Sequence, residues 1–243
     1  IHNVERLFAP GPDGKPLPRF RYIVEGANLF FTQDARLRLE AAGVIIFKDA
    51  SANKGGVTSS SLEVLAALAF TDDEFARHMQ VDAGVVPDFY NDYVRCVHAI
   101  IERNAALEFD CIWREHQRAP LRPWSVISDD LSLAILRLSA DAQRSDALYG
   151  NVPLRRAVLA RAFPPLLIQR LSLDLLLHRL PENYLRALFG SYLASRFVYH
   201  YGSQPSQFAF FEFMSRFCVV GGSGSGNGAD GSVTDLADLD ESL

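Results

Sequence analysis

The chain has 243 residues and a formal charge of −5, with about half of its residues apolar and a fifth charged. That length can bury a sizeable core, and the acidic balance argues against a nucleic-acid-binding surface, which is normally basic over at least one domain. Three widely spaced cysteines, Cys96, Cys111 and Cys218, make no disulfide framework and no metal-ligand spacing, which favours a reducing intracellular compartment. No apolar run reaches the roughly eighteen residues needed to span a bilayer, so no membrane role is expected.

The chain opens on Ile1 with no start or targeting signature, so the sequence reads as the carboxyl-terminal portion of a longer polypeptide. Residues 9–18, rich in proline and glycine, read as an exposed loop. A strand is expected near Phe20–Val24, ending in the turn Glu25-Gly26-Ala27-Asn28. Thr32 is placed to cap a helix running to about Ala42, and Gly43 to end it. Val44–Phe47 is a short β-branched run that fits a strand buried on both faces of a parallel sheet. A second turn follows, containing Asn53, Gly55 and Gly56. The next helix is expected to start near Ser60, where Ser60-Ser61-Leu62-Glu63 matches a capping box.

From Asp72 to Phe217 the periodicity is helical almost throughout. Tyr90–His116 reads as one long amphipathic helix, with Val94, Val97, Ile101, Ala105 and Phe109 on one face. Leu131–Ala147 and Pro181–Tyr201 read as further helices, with Pro153, Pro164-Pro165, Pro181 and Pro205 at the breaks. Phe208, Phe210, Phe211, Phe213 and Phe217 suggest a core-facing or interface helix. The Gly/Ser-rich acidic segment from Gly221 is expected to be disordered. Within it, Gly224–Ala229 matches a dinucleotide-binding pattern but lacks the strand before and the helix after that the pattern requires.

Two Gly/Asn turns at the ends of successive strands lie where open α/β sheets bind ligands. Asn53 carries a carboxamide that can pair with another carboxamide as donor and acceptor, and Gly55 and Gly56 let a backbone approach a ligand closely. The local alternative is a structural turn in which Asn53 bonds its own backbone. Ser60 has two readings as well: helix cap, or hydroxyl at a helix start that receives a carboxylate. Lys48 and Asp49 read as solvated. The histidines lack metal-spaced partners, and Ser59–Ser61 lack the elbow pattern of a serine hydrolase.

The run YIVEGANLFFTQDARLRLEAAGVIIFKDASANKGGVTSSSLEVL, with PENYLRALFGSYLASRFVY at 181–199, closely resembles the large NAD-specific glutamate dehydrogenases of fungi and protists. The resemblance covers residues 3 to about 218 and is strongest at 22–70. It implies an α/β fold, with the distal half of a Rossmann-like dinucleotide-binding domain over 1–71 and a mainly α-helical region over 72–218; the acidic tail over 219–243, set apart by its composition, has no counterpart in the resemblance. It implies NAD as coenzyme, L-glutamate, 2-oxoglutarate and ammonium as reactants, a homo-oligomer, and a place in cytoplasm or mitochondrion. The family motif stands here as Glu25-Gly26-Ala27-Asn28 and Asn53-Lys54-Gly55-Gly56-Val57-Thr58-Ser59-Ser60. Carried over, Asn28 contacts the coenzyme near the nicotinamide ribose, and Asn53 holds the nicotinamide carboxamide beside Gly55 and Gly56. Val57 lines the substrate pocket, and Ser60 binds the substrate's side-chain carboxylate, which speaks against an apolar amino-acid substrate. Lys54 departs from the alanine of the wider family. The family's catalytic lysines, catalytic aspartate and phosphate-binding loop match nothing in this chain, so isolated residues 1–243 are expected to be inert. A reading from another class is a non-catalytic helical interaction or regulatory module that keeps a vestigial nucleotide-binding turn.

Overall fold

A computed structural model describes residues 3–206 and 208–218. After a 3-10 turn at Val4–Leu7, β1 (Phe8–Pro10) and β2 (Pro16–Pro18) pair antiparallel, with Phe8 opposite Pro18. The segment expected as an open loop is therefore a hairpin. A two-stranded ribbon tolerates its three prolines because each strand has a free edge where the missing N–H is not needed. Gly14, at φ 70°, supplies the left-handed residue of the turn.

β3 (Tyr22–Val24), α1 (Gln33–Ala41) and β4 (Ile45–Phe47) form a strand–helix–strand unit. The two strands are parallel, with Tyr22 opposite Ile45 and Val24 opposite Phe47. Thr32 caps α1 by accepting from the Ala35 N–H at 3.3 Å, and Gly43 leaves the helix at φ 88°, both as the residues dictate. A small core of Val4, Phe8, Ala35, Leu39, Val44 and Ile46 holds this unit together. Ile46 faces that core, whereas Ile45 and Phe47 are half-buried against a second, larger core. The period of two thus gives β4 an apolar neighbour on each face, while β3 leaves Tyr22 and Val24 exposed.

A single turn, α2 (Asp49–Ala52), runs almost directly into α3 (Lys54–Ala69). This helix starts six residues before Ser60, so the expected cap is overruled and Ser60 lies mid-helix. The serine run is tolerated because its hydroxyls bond back to helix carbonyls: Ser59 to Gly56 O at 3.0 Å and Ser61 to Val57 O at 2.8 Å. What fixes α3 is burial of Leu62, Leu65, Ala66 and Ala69 in the larger core. Burying each leucine contributes about 1.5–3 kcal/mol.

The rest is helical: α4 (Asp72–His78), α5 (Asp88–Arg118), α6 (Trp124–Arg144), α7 (Asp146–Tyr149), α8 (Val152–Ala162), α9 (Pro165–Leu171), α10 (Leu173–Arg179), α11 (Glu182–Tyr201) and α12 (Ala209–Cys218). α5 matches the expected long helix within two residues at each end. Its buried stripe is Tyr93, Val97, Glu108, Cys111 and Ile112, while Ala105 and Phe109 of the expected face are exposed. α6 begins at Trp124 and not at Leu131. Pro123 offers no side-chain cap, and Glu40 of α1 supplies one from afar, accepting from Ser125 N and Ser125 Oγ at 2.7 Å each. Burial raises the Glu40 carboxyl above its ordinary value, against the lowering pull of the Ser125 hydrogen bonds.

α6 and α11 cross closely at Gly190, where a Cβ would stand 2.8 Å from the Ser139 carbonyl oxygen and 2.7 Å from Gln143 Cγ. The phenylalanine cluster divides: on α12 Phe213 is buried edge-to-face with Phe197 and Phe211 is exposed, and Phe208, just before the helix, is exposed too. Among the described residues no helix is long and apolar enough to cross a membrane. The segment from Gly221, with its Gly224–Ala229 pattern, lies outside the described residues.

Candidate functional site

Because β3 and β4 are parallel neighbours, the turn after β3 and the turn after β4 emerge side by side. The Glu25 N–H continues the ladder to Phe47 O at 2.9 Å. Beneath the turns lies an ionic cluster, with Glu25, Arg36 and Asp49 between 3% and 7% exposed. The Arg36 guanidinium forks onto Glu25, with Nε and Nη2 each 2.7 Å from a carboxylate oxygen. Nη2 also lies 3.1 Å from Asp49 Oδ1. Such a planar bidentate pair fixes geometry as well as charge.

Asp49 in turn accepts from the Leu29 N–H and the Ala50 N–H, each at 2.8 Å. Leu29 sits at φ 55°, a region that L residues with bulky side chains rarely adopt, and the Asp49 carboxylate holds it there. Burial works to raise the Asp49 carboxyl, but the two N–H groups and the charges of Arg36 and Lys48 win, so it lies below its ordinary value of 3.8. The expectation that Lys48 and Asp49 are solvated is corrected on both counts: Lys48 is paired with Asp129 of α6, and Asp49 is buried. Ser51 and Ser128 complete the seam to α6 at 2.5 Å.

Of the sequence-predicted site residues, Asn28 and Asn53 are brought into direct contact. Asn53 Nδ2 donates to Asn28 Oδ1 at 3.0 Å. Asn53 makes no side-chain cap to α3, so the self-bonded turn is not what forms. Gly55 and Gly56 occupy the first turn of α3, and neither has a left-handed φ. A Cβ at Gly55 would meet Ile101 Cγ2 at an ordinary 3.7 Å, and one at Gly56 would meet nothing within 4 Å. Val57 is 73% exposed, and Ser60 is exposed too.

Asn53, Gly56, Val57 and Ser60 follow the i, i+3, i+4, i+7 spacing of one helix face, opposite Leu62, Leu65 and Ala69. The result is an outward strip about 10 Å long, at 1.5 Å of rise per residue. It presents carboxamide, bare backbone, an apolar side chain and a hydroxyl in that order, with exposed Leu29 and Phe30 beside Asn28. Such a strip can pair with a flat amide-bearing group at one end and a polar or anionic group at the other.

Sequence reading missed Arg36, Asp49 and Glu108. Arg36 had a usable signal, since it lies within the buried stripe Ala35, Arg36, Leu39 of α1, where a lone cation needs a partner. Glu108 lies on the buried face of α5, and its partners Lys54 and Tyr199 lie 54 and 91 residues away, which no local pattern reveals. A separate cavity of about 390 Å³, lined by Trp113, Arg114, Arg196, Tyr199 and His200 among others, opens between α5 and α11 away from the strip. Of the histidines, His116 stacks on Trp124 at 4.0 Å and His78 lies against the Phe89 ring and the Arg170 guanidinium.

Residues 15–119 match the family model for glutamate/leucine/phenylalanine/valine dehydrogenase. The chain is 58% identical over 217 residues to the NAD-specific glutamate dehydrogenase of Neurospora crassa, covering 89% of this chain and 20% of that protein. It is 53% identical over 214 residues to glutamate dehydrogenase 2 of Dictyostelium discoideum, covering 88% and 20%. To the probable NAD-specific glutamate dehydrogenase of Schizosaccharomyces pombe it is 50% identical over 215 residues, covering 88% and 19%. No solved structure gives a significant match. The chain thus spans about a fifth of the length of the curated relatives it matches. Over most of its own length it is similar to one portion of these NAD-specific glutamate dehydrogenases, and residues 15–119 also match the family model.

Proposed function

We propose that this chain is the coenzyme-side portion of an NAD-dependent glutamate dehydrogenase, converting L-glutamate, NAD and water to 2-oxoglutarate, ammonium and NADH. The observation that carries the reading is the Asn53–Asn28 amide pair beside the uncovered backbone at Gly56. The residues present fit the coenzyme: the Asn53 carboxamide is not consumed by capping, and no side chain stands over Gly56. NAD held there would supply the acceptor for the hydride of the substrate's α-carbon.

This chain's own residues bind and orient. Asn53 pairs with the nicotinamide carboxamide and so selects which ring face meets the substrate. Asn28 fixes the Asn53 rotamer and lies toward the ribose, while Gly55 and Gly56 keep side chains out of the approach. Val57 lines the substrate side of the strip, and the Ser60 hydroxyl donates to the side-chain carboxylate of glutamate. Orientation of this kind lowers a barrier by holding a near-attack geometry. The remaining machinery, an activating lysine and a proton-shuttling carboxylate, belongs elsewhere in the polypeptide, so residues 1–243 alone are inert. The reading carries with it a Rossmann-like region over 1–71, a helical region over 72–218, a homo-oligomer, and a place in cytoplasm or mitochondrion.

The test is NADH oxidation by the full-length polypeptide with 2-oxoglutarate and ammonium. Turnover that requires all three is expected. Asn53→Ala should raise the coenzyme KM and lower kcat, together about tenfold or more. Ser60→Val should cost glutamate kcat/KM about a hundredfold with little effect on coenzyme KM, because the substrate carboxylate loses its hydroxyl donor. A folded full-length protein without turnover would favour the non-catalytic module, and unchanged glutamate kinetics in Ser60→Val would refute the carboxylate assignment.

A further inference from the structure

We infer that Glu108 is a positioning residue for this site, fixing the first turn of α3 by holding Lys54 from the side opposite the ligand; the inference rests on the coenzyme reading above. That turn needs a tie. It has no side-chain cap, and it contains Gly55 and Gly56, each costing about 1 kcal/mol relative to alanine inside a helix. A helix start of that composition frays unless something outside the helix holds it.

The tie is Lys54, adjacent in sequence to Asn53. Its Nζ reaches inward to Glu108 Oε2 on α5 and lies 3.3 Å from the Tyr199 hydroxyl on α11. The Tyr199 hydroxyl donates to the same Glu108 oxygen at 2.8 Å. The Lys54 ammonium also stands 5.7 Å from the Tyr199 ring centroid. Asn53 thus points outward to Asn28 while its neighbour points inward to α5, and the backbone between them is held from both sides.

Burial makes the hold strong. Glu108 is 1% exposed, whereas the Lys54 side chain is about a third exposed, at 35%. Glu108 Oε1 has no hydrogen-bond partner among the described residues, so the carboxylate depends on the two donors at its other oxygen. Removing Lys54 would leave a buried charge with one neutral donor, which is strongly unfavourable. Glu108 is stable in place only with Lys54 docked, and docking Lys54 sets the position of Asn53. Burial and the Glu108 charge raise the Tyr199 phenol above its ordinary value, so it remains a donor throughout. Two helices of the helical region therefore act on the coenzyme through one lysine, without touching it.

The experiment uses the full-length polypeptide, with coenzyme KM, kcat and melting temperature measured for Glu108→Gln, Lys54→Met, Tyr199→Phe and Asn53→Ala. Glu108→Gln keeps an oxygen for the Tyr199 hydroxyl and removes only the charge that holds Lys54. It should raise the coenzyme KM about tenfold, Lys54→Met should do the same, and combining the two should add little. Tyr199→Phe should lower the melting temperature yet leave the coenzyme KM within about twofold, because the ion pair survives. Equal rises in coenzyme KM for Tyr199→Phe and Glu108→Gln would overturn the inference in favour of packing alone. A rise for Lys54→Met with none for Glu108→Gln would overturn it in favour of direct contact between Lys54 and the ligand. Should Glu108→Gln not fold, Glu108→Asp, one methylene short of Lys54, takes its place with an intermediate KM expected and an unchanged one overturning. Failure of Asn53→Ala to alter coenzyme KM would instead sink the coenzyme reading itself, and this inference with it.

Discussion

The strand–helix–strand unit and the helical region are held together by different means. The helical region shares one continuous apolar core that runs from Leu62 on α3 to Phe213 on α12. Among the described residues the smaller unit draws on six core residues, and the turns after its strands are fixed by the buried cluster of Glu25, Arg36 and Asp49. An apolar core tolerates many side-chain arrangements of similar volume, whereas a bidentate ion pair specifies one. The part of the molecule that brings Asn28 and Asn53 into register is the part built on directional bonds.

That contrast can be broken most severely at Arg36. Arg36→Met leaves Glu25 and Asp49 buried without their cation and should cost about 3–5 kcal/mol locally. In hydrogen exchange on the full-length polypeptide, amides of residues 22–50 should lose protection while those of α11 keep it. Equal loss across both regions would show that the two are not held separately. A smaller and opposite pattern is expected from Gly190→Ala, which forces a methyl against the Ser139 carbonyl at the α6–α11 crossing. It should destabilise the helical region by about 1–3 kcal/mol, and thermal melting checks it; a variant as stable as the parent would mean that the helices can separate at no cost.

The mildest probe is acid. The Asp49 carboxyl lies below its ordinary value, so its contribution is complete above the usual carboxylate range and is lost as the pH falls through its lowered value. Protonation removes the acceptor that holds the Leu29 and Ala50 N–H groups. Exchange protection at these two amides, corrected for intrinsic rates, should hold down to the ordinary carboxylate value of 3.8 and fall only below it, ahead of α5. Asp49→Asn should abolish that pH dependence.

What the sequence made legible follows the same division. Thr32, Gly43 and the apolar run at 44–47 act locally, through capping, left-handed φ and strand period, and each is where those rules put it. The long α5 was legible for the same reason, since a sustained 3.6-residue period needs no distant partner. The start of α3 was not, because burial of Leu62, Leu65 and Ala66 outweighs a capping signal worth about 1 kcal/mol. At the site, Asn28 and Asn53 could be picked as a pair of turns, but their direct hydrogen bond depends on strand register. The cluster beneath them joins residues 25, 36 and 49, and only the fold assembles it.

The Glu40 cap has a bearing on how this chain acquires its shape. α6 packs against α11 along much of its length, yet the acceptor for its first turn is carried by α1, some 85 positions earlier. A chain beginning at Asp72 would keep the packing of α6 on α11 but lose its contacts with β4 and α1 together with that acceptor, and its first turn, from Trp124, would unwind toward the Leu131 start that local signals suggest. The Lys48–Asp129 and Ser51–Ser128 pairs, which join α6 near its amino end, would go with it. Synthesis in order from the amino terminus thus places a finished strand–helix–strand template ahead of the helix that needs it, which makes the smaller unit a scaffold in assembly.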